Sequence, residues 1–180
     1  MPQSGIDTHA MIKCIGNSRQ TGRTDRVRLI VRNDSRLKGL YRTDDLQRLA
    51  RRVCEGERYA RDAELGLLLC DDALMADLNL TYRKRRGPTD VLSFGYHASR
   101  GHPLAAQDGA PFSVLGDIAI SLETVEARCA GARAAVREEV RLLFCHGLLH
   151  LLGFVHDTKS QRARMQAKQA EYLGITENEA

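Results

Sequence analysis

The chain has 180 residues, 43% hydrophobic and 28% charged, with a net charge of +4 and no tryptophan. These proportions describe one soluble globular domain long enough to bury a core. No apolar run is long enough to cross a bilayer, and no signal-peptide core stands near the start. Cysteines 14, 54, 70, 129 and 145 form neither a CxxC pair nor a regular framework, so the expectation is reduced thiols in a cytoplasmic protein. The modest positive charge fits a polyanionic partner and equally fits an ordinary soluble protein.

Residues 1–24 mix Gly, Ser, Thr and polar residues without a period, and read as a flexible extension preceding a domain over 25–175. Their poverty in acid is also a feature of cleaved organelle-targeting segments. RVRLIVRN (26–33) reads as a strand. TDDLQRLARRVCEGE then offers a Thr cap, an acidic first turn and Leu46, Leu49 and Val53 on one face of an amphipathic helix. AELGLLLCD (63–71) reads as a buried strand and DALMADLNLTY as a short helix. After the Gly87-Pro88 break a strand starts near Val91, and 97–114, with two prolines and no period, reads as a long loop. GDIAIS (116–121) is a strand, followed by a helix over 122–130. Residues 134–152 carry Val136, Val140, Leu143, Leu148 and Leu151 at helical spacing, with Gly153 as the stop. A final helix covers 158–173. There are no repeats, and the elements make a single α+β or mixed α/β domain.

The chemistry concentrates in HGLLHLLGFVH (146–156), which holds three of the six histidines. His146 and His150 are four apart and project from one helix face. Gly153 permits a left-handed turn that brings His156 back to the same point. Burying three hydrogen-bonding rings without a shared partner is costly. Three imidazoles with a fourth position left to water describe an open catalytic metal site. Zinc is the default ion, although nitrogen ligands also suit nickel, copper or iron. Metalloproteases of the HExxH type place a general base directly after the first histidine, whereas this chain has Gly147, which counts against peptide hydrolysis. A centre with three neutral ligands keeps its full charge and suits a phosphodiester.

LNLTYRKRRGPTDVLSF (78–94) is the second unusual stretch. Arg83, Lys84, Arg85 and Arg86 form a basic run that is either a solvated turn or a phosphate contact. Arg83 can stabilise charge but cannot act as a base. Asp90, Asp117 and Asp157 are the nearest candidates for a base or for an acceptor that orients a ligand histidine, alongside a water activated by the ion. Cys145, one step from His146, points about 100° away and reads as packing. His97 and His102 read as solvent-exposed loop residues.

On these two stretches the chain resembles the YbeY family of bacterial rRNA maturation endoribonucleases. Its HGxLHLxGxDH pattern is matched by His146, Gly147, Leu149, His150, Leu151, Gly153 and His156, with Val155 standing where the family commonly has Asp. LNLTYRKRRGPTDVLSF and LGDIAIS resemble further family signatures, and the likeness covers roughly residues 26–175. The resemblance implies a mixed sheet packed against a central metal-bearing helix. It also implies one zinc per chain on His146, His150 and His156, a functional Arg83, and single-strand-specific cleavage in small-subunit rRNA 3′-end maturation and ribosome quality control. Single-stranded rRNA and the small ribosomal subunit are then the expected partners. Two other readings stay open on the residues alone: an assembly factor with a structural zinc, and a metal-dependent hydrolase of another substrate.

Overall fold

Strand β2 (Ala63–Cys70) sets the topology, because every residue of AELGLLLC except Glu64 is buried. A strand covered on both faces reads as a continuous apolar run and belongs at the centre of a sheet. The computed structural model describes residues 27–59, 62–95 and 113–175. Within them β1 (Val27–Asn33) and β4 (Ser113–Ser121) flank β2 and run parallel to it. Strand β3 (Val91–Gly95) lies antiparallel on the outer side of β4, giving the order β1-β2-β4-β3.

A parallel step needs a crossover, and α1 (Thr43–Gly56) supplies it between β1 and β2. One face of the sheet sends Leu65, Leu67, Leu69, Ile118 and Ile120 into the main core. There they join α1, α3 (Leu122–Arg128), α4 (Arg133–Leu151) and α5 (Lys159–Leu173). The other face packs Leu68, Cys70, Leu92 and Ala119 against Met75 and Leu78 of α2 (Asp72–Leu78). This mixed sheet with five helices among the described residues is the α+β arrangement expected, with α4 as the central helix. Its apolar positions Val136, Val140, Leu143, Leu148 and Leu151 are all buried.

The structure corrects the sequence reading at several boundaries. Thr43 does not cap α1: the helix starts one residue sooner, with Arg42 as an extended N-cap that makes no side-chain bond and Leu46 N–H donating to the Arg42 carbonyl. The helix read over 72–82 ends at Leu78 and continues as a wider π turn over Asn79–Arg83. Strand β4 begins at Ser113, so the loop read over 97–114 loses its last two residues to the sheet. The rest of that loop, with His97 and His102, lies outside the described residues, as does the 1–24 segment.

The earlier part of β4 was masked in the sequence by an irregularity. The register with β2 shifts between Glu64 and Leu65, so Leu115 is an extra residue on β4. Beside it Gly116 has φ +144°, and a Cβ there would lie 2.2 Å from the Phe94 carbonyl oxygen. The close pairing of β3 and β4 therefore requires glycine at this point. Gly116→Ala is expected to cost about 2 kcal/mol or more, lowering the melting temperature by roughly 4–8 °C for a domain of this size. A thermal melt unchanged from wild type would show that the strands separate there without penalty.

Candidate metal centre

Helix α4 delivers the first two histidines and its C-terminal turn delivers the third. Leu152 is the C-cap, and Gly153 follows at φ +93°. Gly153 N–H donates to the His150 carbonyl and Phe154 N–H to the Leu149 carbonyl, each at 3.0 Å. These paired bonds form the Schellman arrangement, which satisfies the last helical carbonyls while reversing the chain. Two residues later His156 faces His146 and His150, with ring centroids 5.5 and 4.9 Å from theirs. One ring nitrogen from each histidine lies within 4.8 Å of the other two. All three residues are half-buried.

The hydrogen bonds fix which nitrogen faces inward. His150 Nδ1 lies 2.8 Å from the Phe154 carbonyl oxygen. A carbonyl only accepts, so Nδ1 carries the proton and Nε2 keeps its lone pair. His146 Nδ1 faces Gln169 Oε1 of α5 at 3.4 Å in the same way. The two Nε2 atoms are then both acceptors, 3.1 Å apart. Burial lowers the pKa of both rings, and neighbouring histidines lower that of His150 further, so a proton shared between them is disfavoured near neutral pH. Two lone pairs at this distance ask for a cation. A tetrahedral centre with Zn–N bonds of about 2.0–2.1 Å places its nitrogens about 3.3–3.4 Å apart, close to the separation found. The donor set therefore fits a divalent metal ion. Among the described residues no fourth His, Cys, Asp or Glu joins the group.

The histidines open into a cavity of about 850 Å³ whose lining also includes Asn79, Arg83, Arg85, Thr89 and Ser93. Arg83 Nη2 donates to the edge carbonyl of Ser93 at 3.3 Å, which holds the guanidinium over β3. The basic run is not uniform. Arg83 and Arg85 line the cavity; Lys84 and Arg86 do not, and Lys84, in a left-handed conformation, donates Nζ back to the Thr81 carbonyl. Asn79, which stands in one of the motifs of the family resemblance but was given no role there, organises this loop. Its buried side chain donates to the Gly87 carbonyl at 2.9 Å, while its own carbonyl accepts from the N–H groups of Lys84 and Arg85. Gln169 was also missed, because nothing in the sequence of α5 marks one glutamine among several polar residues.

Of the three aspartates considered as base, only Asp157 lines the cavity. Asp117 is buried on β4. Asp90 is a structural clamp: it accepts from Val91 N–H and from Arg128, each at 2.8 Å. Burial opposes its ionisation, but these bonds prevail and hold the carboxyl below its usual range. Cys145 is fully buried, which pushes its thiol up to about 12 and leaves it as packing. Val155 lines the cavity and is 45% exposed.

Gly147 has a steric reason to be glycine. A Cβ there would meet Ser93 Oγ at 2.9 Å and Ile118 Cγ2 at 3.0 Å, because α4 lies directly on β3 and β4 at this turn. The position that holds the base in HExxH peptidases points here into the sheet, not toward the cavity.

Comparison with known proteins agrees with this architecture. The family profile described as Endoribonuclease YbeY matches residues 31–177. A relative of that name from Pelotomaculum thermopropionicum is 38% identical over 145 residues, spanning 78% of this chain and 93% of its own. Another, from Synechococcus sp. strain CC9605, is 43% identical over 117 residues, spanning 65% and 68%. A Thermotoga maritima protein solved in solution is 20% identical and superposes with a TM-score of 0.50 over 82% of this chain and 89% of that one, a likeness of fold.

Two outcomes follow from the geometry. The purified protein is expected to hold about one metal ion per chain, released on acidification and absent from His146→Ala/His150→Ala. Elemental analysis that finds equal metal in wild type and double variant would remove the site. Gly147→Glu, which writes HExxH into the chain, is expected to destabilise the fold by several kcal/mol and to yield no peptidase, because its side chain enters the helix–sheet contact. A stable Gly147→Glu protein that cleaves casein would contradict that packing argument.

Proposed function

The chain belongs to the YbeY family, and from that premise we propose that it is a metal-dependent endoribonuclease that cuts single-stranded RNA during 3′-end maturation of small-subunit rRNA. The observation that carries the reading is the pair of inward Nε2 lone pairs with Arg83 lining the same cavity. We take zinc as the ion, one per chain, held by His146, His150 and His156, and the cytoplasm and the small ribosomal subunit as its setting.

When bound, the ion supplies Lewis acidity toward a water and toward the phosphoryl oxygens. The chain's own residues supply the rest. His146 and His150 stay neutral donors because Gln169 and the Phe154 carbonyl hold their Nδ1 protons. Arg83, always protonated, presents a planar fork to the non-bridging oxygens, where charge builds in the transition state. Its bond to Ser93 O pre-positions that fork. Asp157, at the rim beside His156, is the carboxylate best placed to accept a proton.

The rival readings fit less well. A structural zinc usually has four protein ligands, and the described residues offer three here. A peptidase of the HExxH type lacks its base at Gly147.

Cleavage of a single-stranded rRNA fragment is expected to stop with chelator and resume on adding back zinc, with duplex RNA cut far more slowly. Arg83→Gln is expected to lower single-turnover cleavage about 10²–10³-fold while retaining metal and most of the binding. Normal cleavage at saturation by Arg83→Gln would end its catalytic assignment; cleavage indifferent to chelator would end the metal mechanism. Arg85→Gln should flatten the plot of log affinity against log salt by about 0.7, and Lys84→Gln by much less.

A further inference from the structure

On the side of α4 away from the histidines, two adjoining hollows between α1 and α4 share Asp45 and Arg141 and together make a groove. Its walls carry Arg42, Arg48, Arg52, Arg137 and Arg141 against only two carboxylates, Asp45 and Glu138. Those carboxylates are already engaged, Asp45 with Arg48 and Glu138 with Arg141. Arg42 and Arg137 have no carboxylate partner among the described residues, and neither has Arg133 next to them. The guanidiniums of Arg133 and Arg137 instead converge on one acceptor, the Gly39 carbonyl, at 3.3 and 3.5 Å. Two like charges gathered on a single neutral oxygen at an exposed surface leave most of their donors unused and their repulsion uncompensated.

We propose that this groove is a second RNA site, which takes phosphates of a strand segment distant from the one being cut. The proposal rests on the reading of the chain as an enzyme acting on RNA. Arg137 precedes His146 by nine residues of α4, about 13.5 Å of rise and two and a half turns, so the two side chains leave opposite faces. The groove is therefore no extension of the cavity wall, and an RNA filling only the cavity does not reach it. Chemistry favours a phosphodiester backbone over a protein partner. The positive groups are all arginines, whose forks match phosphate oxygens. The large exposed apolar residues among those described, Leu80, Tyr82, Val114, Val155 and Ile175, all lie elsewhere. The apolar residues that do line the groove are buried (Leu46, Leu49, Val140) or half-buried (Tyr41), so it presents arginines and not a large exposed apolar anchor to a protein partner. Such a site would hold a long substrate without contributing to the chemistry.

The test compares wild type with Arg42→Gln/Arg133→Gln/Arg137→Gln, and with the matching triple Lys variant, which keeps the charge. Binding is titrated against salt for RNAs of about five and about thirty nucleotides, lengths within and well beyond what one compact site covers. For the long RNA the Gln variant should flatten the slope by about 2, equivalent to a roughly hundredfold loss of affinity at 0.1 M salt. The short RNA should be bound and cut as by wild type, and the Lys variant should keep the wild-type slope. An unchanged slope on the long RNA overturns the proposal, and so does an equal loss on both lengths, which would place these charges at the cavity. Polyglutamate that displaces the long RNA from wild type as well as RNA of equal charge does overturns it too, assigning the groove to acidic protein. Failure of wild type to cut the short RNA would instead count against the catalytic reading, because the salt titration does not depend on cleavage.

Discussion

Helix α4 can lie on the sheet as closely as it does only because residue 147 has no side chain. At that turn the space a Cβ would need is taken by Ser93 of β3 and Ile118 of β4. Everything at the site follows from this approach. It places the face of α4 that bears His146 and His150 level with the edge strand β3, and β3 in turn holds Arg83 through the Ser93 carbonyl. Without the contact the histidines would stand on an ordinary surface helix, with no second wall to make a cavity. Packing of this kind is sensitive to a single methylene, since protein interiors are filled to crystal density.

A second layer of control is electrostatic. An imidazole is ambivalent, able to point either nitrogen at a ligand, and a centre built from it needs the other nitrogen held. Here the two anchors come from different parts of the fold: a main-chain carbonyl in the turn beyond α4 and a side-chain amide on α5. Helix α5 is itself fastened. A capping box at Thr158 and Gln161 starts it, and near its end Tyr172 donates to Glu57 while Lys168 pairs with the same carboxylate. The C-terminal helix thus belongs to the site as much as to the core, and through Glu57 it is tied to the end of the crossover helix α1.

Much of this was legible in the residues. The histidine spacing, the glycine stop and the apolar period of α4 are local features, and local features survive transfer from sequence to structure. The strands were recognised for the same reason, although β4 was read three residues too short because its extra residue breaks the alternation. The π turn was not legible, because its cause is tertiary: a buried Asn79 fastened to Gly87 eight residues on outweighs the helical pattern of 72–82. Nor could sequence divide the basic run, since which cations face the cavity depends on the left-handed step at Lys84. The role of Gly147 was half read. Its lack of a carboxylate was plain, but its steric necessity depends on a strand more than fifty positions away in the chain.

The turn that closes α4 sets a fixed stride between the second and third histidines. Its two main-chain bonds and the His150 contact engage the backbone of residues 149–154, not the side chains of 152, 154 or 155. The interval of six is therefore intolerant of insertion or deletion, whereas the identity of residue 155 is left to drift, its side chain directed outward at the rim. This separates the part of the loop whose length the geometry fixes from the part whose side chain it leaves unconstrained. Valine at this position gives the cavity mouth an apolar side chain, while the bonds that seat the histidines run through the main chain of the turn and the His150 ring.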